Sequence, residues 1–155
     1  MRVRIKDPLA ILADNAAGGV VIEDGVVAEI LQTGDEPKTP CDETFDASEC
    51  VVLPGLINTH HHFYQTLTRA YGPALDKELF DWLKTLYPVW AGLTPDYLYV
   101  ATRLALAELL LSGCTTAADH HYVFPAGLEN GVDIQVAAAS DLGVRVTLTR
   151  GSMNL

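Results

Sequence analysis

The chain has 155 residues, 49% of them hydrophobic and 19% charged, without a low-complexity tract, so it is a globular composition with enough apolar residues for a sizeable core. A formal net charge of −10 argues against a nucleic-acid partner, because proteins that hold a phosphate backbone present a basic patch. No apolar run approaches the roughly 20 residues that span a bilayer, and the opening MRVRIKDPLAILAD lacks a signal-peptide core and cleavage site, so neither a membrane partner nor export is expected.

Cys41, Cys50 and Cys114 are odd in number and form no CxxC. They read as free thiols in a reducing cytoplasm, with a Cys41–Cys50 pair as the alternative in an exported protein.

From the N-terminus to Leu53 the pattern is extended: Val3-Arg4-Ile5, then Val20 to Glu23, Asp24-Gly25, and Val26 to Ile30. Asp-Gly between two Val-rich runs predicts a hairpin, since a type I′ turn needs positive φ at both central residues. Thr33 to Thr44, rich in Asp, Glu, Pro, Lys and Thr, predicts an exposed loop, after which Phe45 and Cys50 to Leu53 resume extended structure. Eleven of the twenty acids precede Pro54, which fits a solvated face on a small β-layer.

After Pro54 the order becomes strand, helix, strand, helix, strand. Leu56 to Thr59 predicts the first strand, and Thr94-Pro95-Asp96 is an N-cap, a proline at the first helical position and an early acid. The helix they open runs to Ser112 and stops at Gly113, with Leu104 to Leu111 apolar nearly all round and therefore largely buried. Cys114 to Asp119 and Val144 to Thr149 predict two more strands, around a helix from Val132 to Leu142 that ends at Gly143. Strands alternating with helices imply right-handed crossovers and a parallel sheet. Phe63 to Leu93 is an aromatic-rich excursion with a short helix, Asp76 to Leu86, and Pro88 beyond its end. Its rings either wall a pocket for a flat heteroaromatic ligand or pack the insertion onto the sheet.

All five histidines fall at predicted strand ends: His60, His61 and His62 after the first, His120 and His121 after the second. Side chains at i and i+2 of a strand share a face, so His60 and His62 converge while His61 turns away. Two such imidazoles suit a divalent metal, which lowers the pKa of bound water towards ~7. Of His120 and His121, one is expected to face the pocket and the other to pack or to be solvated.

Leu53-Pro54-Gly55-Leu56-Ile57-Asn58-Thr59-His60-His61-His62 resembles the first-strand signature of the amidohydrolase superfamily of metal-dependent (β/α)8-barrel hydrolases. Asn58 before Thr-His is similar to its nucleobase-deaminase and triazine-hydrolase branch. HHHFYQTLTRA, ELFDWLKTLYPVW, LALAELLLSGCTTAADHHYVFPAGLEN and LTRGSMNL extend the resemblance over nearly the whole chain. The resemblance implies an α/β fold: residues 1–53 as the N-terminal part of a β-sandwich domain, and residues 54–155 as the first three strands and intervening helices of a (β/α)8 barrel. It implies that His60 and His62 bind one divalent metal ion, zinc or else iron, and that Gln65, Arg150 and Trp90 contact substrate. The implied reaction is hydrolytic deamination of an amino-substituted purine-like heterocycle, 8-oxoguanine to a urate-type product and ammonia.

Alternatives are hydrolysis of a hydroxyatrazine-type alkylamino-triazine, or an incompetent fragment serving as a metal-binding scaffold. The family's further histidines, glutamate and aspartate follow later strands, and a (β/α)8 barrel needs ~250 residues. The chain is therefore expected to be the N-terminal part of a longer, homo-oligomeric cytoplasmic enzyme, and to be inactive alone. A small-molecule heterocycle is the expected partner.

Overall fold

The computed structural model describes residues 1–152, so the last three residues of the LTRGSMNL stretch lie outside the described residues. The chain divides into two compact units between Pro54 and Gly55.

The first unit holds β1 (Arg2–Lys6), β2 (Ala10–Ile11), β3 (Gly19–Glu23), β4 (Val26–Leu31), β5 (Glu43–Asp46) and β6 (Val51–Val52). One sheet has the order β4-β3-β1-β5, and β2 pairs with β6 in parallel. The Asp-Gly hairpin forms as its residues demand: Asp24 and Gly25 join β3 to β4 with φ of +49° and +83°. The expected loop from Thr33 is shorter than its composition suggests. Glu43 and Thr44 join β5, which pairs in parallel with β1. Arg4, a buried cation in the middle of β1, anchors what remains, donating from Nη1 to Glu36 at 2.6 Å and from Nη2 to the Asp35 carbonyl at 3.0 Å. A buried guanidinium must be paired, and the acid-rich loop supplies the partner. Cys41, Cys50 and Cys114 are all free thiols.

The second unit is a three-stranded sheet of β7 (Leu56–His61), β8 (Cys114–His121) and β9 (Arg145–Arg150), both pairings parallel, with α1 (Leu79–Trp90), α2 (Pro95–Leu111) and α3 (Gly131–Leu142) in the crossovers. The Thr94 hydroxyl caps α2 by accepting from the Tyr97 amide at 3.2 Å. Gly143 ends α3 in the left-handed region, at φ +68°, where a side chain would be strained. Phe63, Ala105, Leu106, Ala117, Ala139 and Val144 form the core between sheet and helices.

The insertion departs from expectation at both ends of its helix. Asp76 adopts φ +57°, a conformation that cannot start a right-handed helix, so α1 begins at Leu79. Pro88 lies inside α1 rather than beyond it. Proline in the last turn removes one hydrogen bond, and the helix persists because Leu86 and Trp90, on either side of it, are buried in a second core with Tyr64, Leu93, Leu98 and Leu128. Among the described residues no helix is long and apolar enough to cross a membrane.

Candidate metal centre

The C-terminal ends of β7 and β8 bring three imidazoles together. The rings of His60 and His62 lie 5.0 Å apart at 90°, and His120 stacks on His60 at 4.8 Å with an interplanar angle of 28°. Local irregularity makes this possible. The β7–β8 ladder breaks between Asn58 and His61, and the Asn58 side-chain oxygen accepts from the His60 amide at 3.1 Å, so that amide needs no strand partner. At His62 the backbone leaves the strand with φ −132° and ψ 84°, and a 3-10 helix, Phe63–Thr68, follows.

The His62 ring is oriented through its Nδ1, which lies 2.8 Å from the main-chain oxygen of His120. A carbonyl oxygen only accepts, so Nδ1 carries the proton and the lone pair is left on Nε2. Metal-ligating histidines are oriented in this way by their second nitrogen. Tyr122 and Tyr64 pack edge-on against the same ring, at 5.5 and 6.2 Å. The donor set fits two of the nitrogen ligands of a divalent ion. Among the described residues no group of three or more His, Cys, Asp or Glu is placed to hold one.

His61 points away from this pair towards Phe63, ring to ring at 5.1 Å, and is half-buried. Burial, followed by the neighbouring His62, pushes its pKa below the ordinary value. Gln65 shares a shallow pocket of about 270 Å³ with His60, His61, His62, Thr66 and Arg69. Its amide donates to the Tyr64 hydroxyl at 3.1 Å, which leaves the amide oxygen free to accept. Burial, and then the hydrogen bond with Tyr122, raise the Tyr64 phenol above its usual range.

The other two candidate residues are not brought to this cluster. Arg150 is the ladder partner of His121, and directly paired residues share a face of the sheet. That is the opposite face from His120, and the Arg150 guanidinium sits 4.1 Å from the centroid of the Phe124 ring. Trp90 has no exposed surface; its ring packs edge-on against Tyr64 at 5.1 Å and its indole nitrogen donates to Thr68 Oγ1 at 3.2 Å.

The paired histidines of β8 divide as strand alternation requires. His120 is exposed on the cluster side, whereas His121 is fully buried against Tyr64 and Phe124. Burial, and secondarily the charge of Arg150, depress the His121 pKa from 6.5 to about 4. The unfolded chain therefore binds more protons than the folded one between these values. Stability from this group is fully present above pH 6.5 and is lost as the pH falls towards 4, by about 3 kcal/mol. Urea titrations of the full chain at pH 7 and pH 5 are expected to show the fall, and His121→Phe is expected to flatten it; equal pH slopes in the two proteins would refute the assignment.

Asp119, legible in the sequence only as the end of a strand, is also fully buried, and its pKa is raised chiefly by desolvation. The CTTAADHH run held a signal for it: an acid at an apolar-facing position of a strand has to be buried with partners.

Residues 51–155 match the sequence profile of the amidohydrolase family. The chain is 62% identical over 157 aligned positions to an 8-oxoguanine deaminase of Pseudomonas aeruginosa, covering 99% of this chain and 35% of that protein. It is 45% identical to the hydroxydechloroatrazine ethylaminohydrolase of Pseudomonas sp. strain ADP, over 73% of this chain and 24% of that one. A variant of the atrazine chlorohydrolase of Arthrobacter aurescens, solved with zinc and atraton, superposes with a TM-score of 0.85 at 30% identity, over 99% of this chain and 36% of that chain. The match thus spans about a quarter to about a third of the length of these relatives. Its parallel α/β unit and strand-end imidazoles are matched by a family profile that begins at Val51 and runs through both, and the chain belongs to the amidohydrolase family.

Proposed function

We propose that this chain forms the N-terminal part of a (β/α)8-barrel enzyme that hydrolytically deaminates 8-oxoguanine to a urate-type product and ammonia. In this reading residues 1–53 contribute to a β-sandwich, and His60 and His62 hold a divalent metal, zinc by analogy with the zinc-bound relatives. The observation that carries the reading is the His60–His62 pair at the ends of a parallel sheet, with the His62 proton confined to Nδ1. The 62% identity to an 8-oxoguanine deaminase supports the substrate. The complete enzyme is expected to work in the cytoplasm as a homo-oligomer.

When bound, the metal supplies Lewis acidity that brings the pKa of a coordinated water towards ~7. This chain's own residues orient and bind. His62, held by the His120 carbonyl and two tyrosine rings, presents Nε2 in a fixed direction. The Gln65 amide oxygen accepts from a ring N–H of the lactam edge of the base. In the net reaction a C–O bond forms at C2, the C2–N bond breaks, and the amine leaves as ammonia with protons delivered by acid–base groups on later strands.

A second reading, hydrolysis of an alkylamino-triazine, draws on the hydroxydechloroatrazine and atrazine hydrolase relatives. A panel of 8-oxoguanine, guanine, isocytosine and hydroxyatrazine with the complete enzyme separates the two. The highest kcat/KM is expected for 8-oxoguanine, and preference for hydroxyatrazine would replace the first reading with the second. Gln65→Ala is expected to raise KM for 8-oxoguanine by about 10-fold, the worth of one hydrogen bond to a polar substrate edge. An unchanged KM and kcat would remove Gln65 from the substrate site.

A further inference from the structure

We infer that Asp119 is a positioning residue for the metal ligand His62, acting through the backbone of Phe63; this rests on His60 and His62 being metal ligands. Asp119 lies on the helix-covered face of β8, has no exposed surface, and does not line the pocket. Its two carboxylate oxygens have separate tasks. Oδ1 accepts from the Phe63 amide at 2.7 Å, and Oδ2 accepts from the Gln135 side-chain amide of α3 at 2.6 Å. The main-chain oxygen of Asp119 accepts from the Thr149 hydroxyl at 3.0 Å, so the residue is also tied to β9.

Phe63 is where the chain needs such a tie. The last ladder pair of β7 and β8 is His61 with Asp119, so the regular strand ends one residue before His62. At His62 the backbone turns out of the strand, and the Phe63 amide, at the start of the 3-10 helix, is buried. A buried amide without a partner costs free energy. The Asp119 carboxylate satisfies it from the neighbouring strand and so defines where the His62 Cα stands relative to β8. The other anchor of His62, its Nδ1–H bond to the His120 carbonyl, comes from the very next residue of β8. Adjacent residues 119 and 120 thus hold the ligand from two sides, one through its backbone and one through its ring.

Gln135 serves the carboxylate rather than the ligand. Its donation to Asp119 Oδ2 fixes the carboxylate rotamer from α3, while its own amide oxygen has no partner. The acid is therefore not interchangeable with a small residue, although an amide of the same shape can repair the site. Asparagine retains Oδ1 for the Phe63 amide, and a flipped Gln135 amide can accept from its Nδ2.

The test is zinc affinity of the complete protein by chelator competition, with the melting temperature measured on the same samples without metal. Asp119→Ala is expected to weaken zinc binding about 10- to 100-fold, the usual effect of removing an outer-shell partner of a metal ligand, and Asp119→Asn is expected to restore it to within about threefold of wild type. Gln135→Leu is expected to lower the melting temperature with a smaller loss of zinc affinity than Asp119→Ala. If Asp119→Ala does not fold, Asp119→Ser, whose hydroxyl fits the space but falls short of the Phe63 amide, takes its place with the same expected loss. Wild-type zinc affinity in the alanine or serine variant, with only the melting temperature lowered, would overturn the positioning role. A wild-type protein that binds no zinc would instead overturn the metal-site reading itself.

Discussion

Replacement of His62 by alanine is expected to abolish metal retention and, with it, turnover by the complete enzyme. The ligand is lost together with the ring that the His120 carbonyl and Tyr122 hold in place; His60 is left with only the stacked His120 beside it, and among the described residues no group of three or more His, Cys, Asp or Glu is placed to take over. The loss in zinc affinity should exceed the 10- to 100-fold typical of an outer-shell partner. His60→Ala is expected to behave alike, whereas His61→Ala should keep its metal, because that ring turns towards Phe63. Metal content after dialysis, measured on the three variants in parallel, checks the assignment. Equal retention in all three would mark the triple-histidine run as an adventitious binder and favour the scaffold reading over the enzyme.

Trp90→Ala is expected to cost about 3–5 kcal/mol of stability, the range for truncating a buried aromatic ring. The indole is fully buried, meets Tyr64, Trp82 and Tyr87 edge-on at 5.1 to 5.8 Å, and loses its hydrogen bond to Thr68 when truncated. Urea denaturation reads this directly. A substrate-wall role would move KM with little change in stability; a packing role moves stability first. Any catalytic defect in the variant is expected to pass through Tyr64, which touches Trp90 on one side and holds the Gln65 amide on the other.

How much of this was legible in the sequence depended on whether the signal was local. The Asp24-Gly25 turn, the Thr94 cap and the Gly143 stop were readable because each needs only a dihedral angle or a hydrogen bond within a few residues. The alternation of strand and helix after Pro54 gave the parallel sheet for the same reason: hydrophobic period and chain length leave few other connections. The helix of the insertion differs from its local sequence signals at both ends. Asp76 takes a left-handed backbone that ends any helix there, and Pro88 is tolerated because Leu86 and Trp90 on either side of it are buried, which outweighs local propensity.

The candidate site divides along the same line. By itself the sequence determined the residue types and spacing: an HxH at a strand end, with glutamine three residues on, within an amidohydrolase-like frame. Only the tertiary structure decided which β8 histidine joins it, because His120 and His121 differ in nothing but the face on which alternation places them. It placed Arg150 with Phe124 on the far face and Trp90 in the core, since register and burial depend on neighbours remote in sequence. Asp119 belongs to this second kind: it is separated by 56 residues from the amide it holds, and no local pattern links the two, because the bond exists only once β7 and β8 lie side by side.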